Sequence, residues 1–245
     1  MILELDCGNT FIKWRLVEGL QSVKGRGAVL SSADGLPSNF EGAQFQSVSH
    51  VLISSVVKSA SVYSLEQYFS SSLGEGRVYV AEPLSVLAGV EFAYKKISKL
   101  GVDRCLAMVA AHRRFPGGVL VLDCGSAITA DFVDSSGQHL GGYILPGINL
   151  IKRGLIKGTS DIRVDHEAGA GLALGKSTEE CVGNGACMMA VAAIERTVEM
   201  AGEKGLKSFC ITGGDAVFLN EKLDTPPIYI EDLVFEGLEI VSPFF

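Results

Sequence analysis

One pattern occurs twice in this chain, and that repetition limits the folds open to it more than any other feature. Residues 2–10 read Ile-Leu-Glu-Leu-Asp-Cys-Gly-Asn-Thr and residues 119–127 read Val-Leu-Val-Leu-Asp-Cys-Gly-Ser-Ala. Each is a short apolar strand ending in Asp-Cys-Gly and a small hydroxyl or amide residue. A second apolar run follows in both copies, at 11–17 and 128–133, then a turn signal, Glu18-Gly19 in the first and 134–137 in the second. A third run, 139–144, continues the second copy. Strand, tight glycine turn and returning strand predict an antiparallel meander opening each half.

Helical spacing comes next in both halves, at 62–69, 104–112 and 178–201, the last with Ser177 or Thr178 as N-cap and Glu179 and Glu180 in the first turn. Short apolar strands lie between them at 51–53, 78–80 and 208–212. Strands alternating with helices after a meander predict an α/β fold with mixed sheets flanked by helices. The halves are expected to meet near Pro116-Gly117-Gly118, giving 1–115 with the first loop and 116–245 with the second. Residues 31–46, small and polar, read as a surface connection.

An Asp at the end of a strand, followed by Gly and a small polar residue, has a chemical use. The strand holds the carboxylate at the sheet's mouth, and glycine lets the backbone turn close to an anion with N–H groups pointing at it. Asp6 can then hold a hydrated Mg²⁺ while Asn9, Thr10 and Lys13 reach phosphate oxygens, with Asp123-Cys-Gly125-Ser126 supplying the same plan from the other half. The bland reading, strand-to-turn punctuation, explains one copy better than two. A third loop, Thr212-Gly213-Gly214-Asp215-Ala216, follows a strand and precedes a helix. Alone it reads equally well as a turn with Asp215 capping that helix. Neither a P-loop nor a GxGxxG motif occurs.

A formal charge of -7 over 245 residues offers no Lys/Arg stripe for a phosphate backbone, which argues against a nucleic-acid partner. The longest apolar stretches, such as 187–194, are too short to span a membrane, and no signal peptide is read at the N-terminus. The six cysteines form no CxxC pair and several read as small core residues, with burial also expected for Cys181 and Cys187 on the long helix. The four histidines (50, 112, 139, 166) lack ligand or triad spacing, and Lys95-Lys96 and Arg113-Arg114 read as solvated faces. A cytoplasmic protein is expected.

Two DxG[NTS] meanders and a late TGGD loop resemble the superfamily of acetate and sugar kinases, actin and heat-shock chaperones. That resemblance implies duplicated ribonuclease-H-like halves with a nucleotide cleft between them. The middle of the chain narrows it. Tyr94, Gly101-Val102-Asp103-Arg104, Asp123-Cys-Gly-Ser-Ala-Ile-Thr129, Gly141-Gly142-Tyr-Ile-Leu-Pro146-Gly147, Thr178 and Thr212-Gly-Gly-Asp215 follow Asp6-Cys-Gly-Asn-Thr10 in one order. That order resembles the type III pantothenate kinases, the small bacterial form that opens coenzyme A synthesis, over nearly the whole chain.

The resemblance implies that Asp6, Gly8, Asn9, Thr10 and Lys13 form the first phosphate loop and that Ser126, where Thr is commoner, contacts ATP. It implies a monovalent cation, K⁺ or NH₄⁺, at Asp123, beside Mg²⁺ held by Asp6 through water. Tyr94, Gly101, Val102, Asp103, Arg104 and Thr178 would line the pantothenate pocket, with Asp103 as general base. It also implies an obligate homodimer with a shared active site. The chemistry agrees: a primary alcohol attacking phosphorus must lose a proton, and Asp103 has a glycine for close approach and an arginine for an anion beside it. From the residues alone, Asp103 serves equally well as a helix cap. Two other readings stay open: a kinase or phosphatase of the same superfamily with another substrate, and a nucleotide-binding regulatory or accessory protein without kinase activity.

Overall fold

The computed structural model describes residues 1–19, 22–31, 36–56, 60–159 and 171–244. Residues 32–35 of the expected surface connection, and His166, lie outside the described residues. The chain separates into two compact units, one of 1–110 together with 232–245, the other of 111–231.

In the first unit β1 (Ile2–Cys7), β2 (Phe11–Val17) and β3 (Val23–Leu30) form the antiparallel meander. Then β4 (His50–Ser55) and β5 (Val78–Val80) add in parallel on the far side of β1, giving the order β3-β2-β1-β4-β5. Alternation along the strands sends Leu3, Leu5 and Cys7, Ile12 and Leu16, and Val51 and Ile53 to one core, where α1 (Ala60–Leu73) brings Leu65 and Phe69. Each large aliphatic side chain so buried contributes about 1.5–3 kcal/mol. Strand β3 escaped the sequence reading because Gly25 and Gly27 interrupt its apolar pattern. The reason for Gly27 is Trp14 on the neighbouring strand, since a Cβ there would stand 2.7 Å from the indole. A two-residue hairpin, β6 (Val86–Leu87) and β7 (Val90–Glu91), turns through Ala88 (φ 46°) and Gly89 (φ 90°). It leads to α2 (Val102–Arg114).

The second unit repeats the plan. β8 (Val119–Cys124), β9 (Ala127–Val133) and β10 (His139–Pro146) form the meander, then come α3 (Ile148–Gly158) and the 26-residue α4 (Thr178–Glu203). β11 (Ser208–Thr212), α5 (Ala216–Asn220) and β12 (Ile228–Tyr229) complete it, with strand order β10-β9-β8-β11-β12. Leu120, Leu122, Cys124, Ile128, Ala130 and Phe132 face Ala186, Cys187, Ala190, Val191 and Ile194 of α4. Ser177 is the N-cap, its Oγ accepting the Glu180 N–H at 3.2 Å, with Glu179 and Glu180 in the first turn as expected. Cys181 departs from expectation: it is exposed, while the other five cysteines are buried.

The last helix, α6 (Leu233–Val241), returns to the first unit and brings a charged cluster against the back of its sheet. Arg15, 3% exposed, bonds Glu4 on β1 through Nε (2.5 Å), Asp232 through Nη1 (3.1 Å) and Glu239 on α6 through Nη2 (2.5 Å). Arg26 joins at Asp232, 3.3 Å away. Burial pushes the Glu4 carboxyl up to about 7 against the pull of Arg15, and raises that of Glu239 as well.

Candidate active site

Each Asp-Cys-Gly sits where strand turns into loop. Asp6 pairs with Lys13 across β1 and β2 and with Ser54 across β1 and β4, so a carboxylate, an ammonium stem and a hydroxyl share one face. The loop closes through Gly8 N–H donating to the Phe11 carbonyl at 3.0 Å, and Asn9, Thr10 and Lys13 are exposed beyond it. The Ser54 hydroxyl, fully buried, donates to Asp6 Oδ1 at 3.3 Å.

The end of β4 leads from this loop to the second group of residues read from the sequence. Val56 N–H reaches the Cys7 carbonyl at 3.4 Å, and a Cβ built on Gly101 would lie 3.6 Å from the Val56 side chain. The same Cβ would fall 2.5 Å from Asp103 Oδ1. Glycine at 101 therefore makes room for the Asp103 carboxylate. Asp103 lies in the first turn of α2, where its Oδ1 accepts the Arg104 N–H at 2.7 Å. The helix opens on Gly101, whose carbonyl takes the Cys105 N–H at 3.1 Å, so the capping role open to Asp103 in the sequence falls to Gly101 instead. Arg104 is 6% exposed; its Nη1 donates to the Tyr94 hydroxyl at 2.7 Å, and its guanidinium lies 5.6 Å from the Tyr94 ring centre. Val102 is buried beside them. Asp6, Ser54, Gly101, Asp103, Arg104 and Tyr94 thus belong to one unit and are linked through the end of β4.

In the second unit Asp123 stands opposite Thr129 on β9 and Thr212 on β11. Gly213 (φ 101°) passes so close to Asp123 Oδ1 and the Cys124 carbonyl that a Cβ would collide with both. The Asp215 N–H donates to that carbonyl at 2.8 Å, and Gly147 N–H to the Ser126 carbonyl at 3.2 Å, so three loops meet at Asp123–Ser126. Nothing lies within 4 Å of a Cβ at Gly214, which leaves that side open. Asp215 occupies the N-cap position of α5 but makes no side-chain cap bond. Ser126 is exposed, and so is Thr178 at the start of α4.

The sequence reading missed Lys152. It lies on α3, 5% exposed, four residues after the buried Ile148, and its charge opposes the rise that burial imposes on the Asp215 carboxyl. A lysine at an apolar-face position of an amphipathic helix was the available signal. Ser54 was missed for a different reason: only the strand register brings it to Asp6.

The donor sets fit a nucleotide and its ions. Mg²⁺ keeps most of its water and takes one or two carboxylates besides phosphate oxygens. Asp6, half-exposed at the head of a loop of donors, meets that need. Asp123 stands between two threonines and offers a single charge among oxygens. Burial pushes the Cys7 thiol up to about 12 and raises that of Cys124 too, so neither cysteine is a nucleophile.

Duplicated 3-2-1-4-5 sheets with these loops define the sugar-kinase and actin-like ATPase fold. Solved structures agree on the fold. A 2-dehydro-3-deoxygalactonokinase protein from Sinorhizobium meliloti superposes over 100% of both chains at TM-score 0.58 and 10% identity. A Baf family transcriptional activator from Campylobacter jejuni covers 98% of this chain and 96% of its own at TM-score 0.60 and 22% identity. The chain belongs to the type III pantothenate kinase family, whose model matches residues 2–200. Type III pantothenate kinases from Azotobacter vinelandii and Pseudomonas aeruginosa are each 39% identical to it over 99% of both chains.

Proposed function

We propose that the protein transfers the γ-phosphoryl group of ATP to the primary hydroxyl of pantothenate, giving 4'-phosphopantothenate and ADP, the first step of coenzyme A biosynthesis. The observation that carries this reading is the Asp103 carboxylate, held beside Gly101 and joined to the Asp6 loop through the end of β4. Asp103 takes the hydroxyl proton as the oxygen bonds to phosphorus and the bond to the β–γ bridging oxygen breaks. Asn9, Thr10, Lys13 and the Gly8 backbone bind phosphate oxygens, and Ser126 contacts ATP. Mg²⁺ bound through water at Asp6 supplies charge neutralisation on the phosphates. Asp123 holds K⁺ or NH₄⁺. Tyr94, Gly101, Val102, Arg104 and Thr178 form the pantothenate site, and Arg104 offers its planar fork to the substrate carboxylate. In this reading residues 1–115 carry the first phosphate loop and substrate motif, and 116–245 the second phosphate loop and TGGD loop.

We place this activity in the cytoplasm, in a homodimer whose active site is shared. Among the described residues no helix is long and apolar enough to cross a membrane. Exposed apolar side chains favour the dimer: Tyr143 and Ile144 on β10, Leu150 on α3, and Met188 and Met189 on α4 are all exposed. Light scattering should give twice the 25.9 kDa chain mass; a fully active monomer would overturn the shared site.

The direct test is a coupled ADP-release assay with pantothenate and Mg-ATP, run in K⁺ and in Na⁺. Pantothenate-dependent turnover that needs K⁺ is expected. Nucleotide binding without turnover, in folded protein, would replace this reading with that of an accessory protein.

A further inference from the structure

We propose that Ser54 is a positioning residue, holding the Asp6 carboxylate in one orientation for the divalent cation that accompanies ATP. This rests on the reading of Asp6 given above. The strand register places Ser54 directly beside Asp6 on the neighbouring parallel strand, and its buried hydroxyl donates to Oδ1 at 3.3 Å. Asp6 is half-exposed at the end of its strand. A donor mounted on the rigid backbone of β4 therefore selects among its rotamers, as outer hydrogen bonds orient metal-binding carboxylates generally.

The duplication supplies an internal control. Thr212 occupies the same register beside Asp123, yet its hydroxyl donates to the Glu231 carbonyl at 3.3 Å, and the Asp123 carboxylate packs against Gly213 instead. Equivalent hydroxyls are thus used differently. In the second unit the hydroxyl ties down the chain after β12; in the first it serves the carboxylate. At these two strand ends the hydroxyl of the first unit meets the carboxylate and that of the second meets a backbone carbonyl.

The test measures cation dependence. Ser54→Ala should raise the half-saturating Mg²⁺ concentration about tenfold, the scale of one hydrogen bond to a charged group. The pantothenate KM, and kcat at saturating Mg²⁺, should stay within about twofold. Ser54→Thr, which keeps the hydroxyl, should restore the wild-type value. A readout independent of turnover is Mn²⁺ bound in the presence of ADP, followed by electron paramagnetic resonance, with Asp6→Asn alongside. Weaker Mn²⁺ binding in both Ser54→Ala and Asp6→Asn supports the proposal. Weaker binding in Asp6→Asn alone overturns it and leaves the role of Asp6 standing. Unchanged binding in both removes Asp6 from the cation site and the proposal with it. A lower melting temperature with wild-type Mg²⁺ and Mn²⁺ behaviour would make Ser54 merely structural, and also overturns it.

Discussion

Replacing Asp103 with Asn should lower kcat by at least about a hundredfold while the KM values for pantothenate and ATP change little. The geometry makes this a clean substitution. Asparagine has the same shape, still accepts the Arg104 N–H through its amide oxygen, and still occupies the space that Gly101 leaves open. It cannot take a proton from an alcohol. Steady-state ADP release, with a thermal melt to confirm folding, reads the result. A variant that retained more than about a tenth of wild-type kcat would remove Asp103 from the base role, since general bases contribute about 10²–10⁴.

The largest effect on stability is expected at Arg15. Its guanidinium is the buried cation among Glu4, Glu239 and Asp232, with Phe235 5.0 Å beneath it. Arg15→Met keeps much of the volume and removes the charge, leaving buried carboxylates facing one another. A loss of about 3–5 kcal/mol at pH 8 is expected from urea unfolding, the scale for breaking a buried pair by removing one partner. The loss should shrink at pH 6, where Glu4 can take up a proton. In the wild type the sign is set by Glu4. Its carboxyl titrates near 7 in the folded protein, against 4.5 unfolded. The native state holds the proton more tightly, so the contribution of Glu4 is complete below pH 4.5 and is lost as pH rises through 7. Glu4→Gln should remove a fall of about 3 kcal/mol over that interval. A variant whose unfolding free energy tracks wild type at every pH would show that Glu4 binds its proton equally well folded and unfolded.

Much of this architecture could be read in the residues because both halves use the same local chemistry. The apolar strands before Asp6 and Asp123, the returning strands and the capped helix behind Ser177 all carry short-range signals, and the structure has them where they were expected. What stayed hidden depends on neighbours distant in sequence. Gly25 and Gly27 look like strand breakers until Trp14 is seen against them. Helix α6 is only nine residues long, and the inward Glu239 makes sense only beside Arg15, 224 positions earlier. In the site, Asp103 and Gly101 were legible as a pair because they are adjacent in the chain. Ser54 and Lys152 were not, because strand register and helix packing bring them to their carboxylates. The reading of Arg104 as an anion ligand did not foresee its contact with Tyr94, ten residues away across the turn into α2.

The return of residues 232–244 to the first unit also bears on synthesis. The second unit is one unbroken stretch, 111–231, whereas the first needs a segment translated after all of it. At about 5–20 residues per second, Glu4 and Arg15 wait about 6–24 seconds on the ribosome for Asp232 and Glu239 once residue 110 has been made. The half that begins first is therefore finished last. Over that interval its back sheet face, with Arg15 and Glu4, stays uncovered by α6.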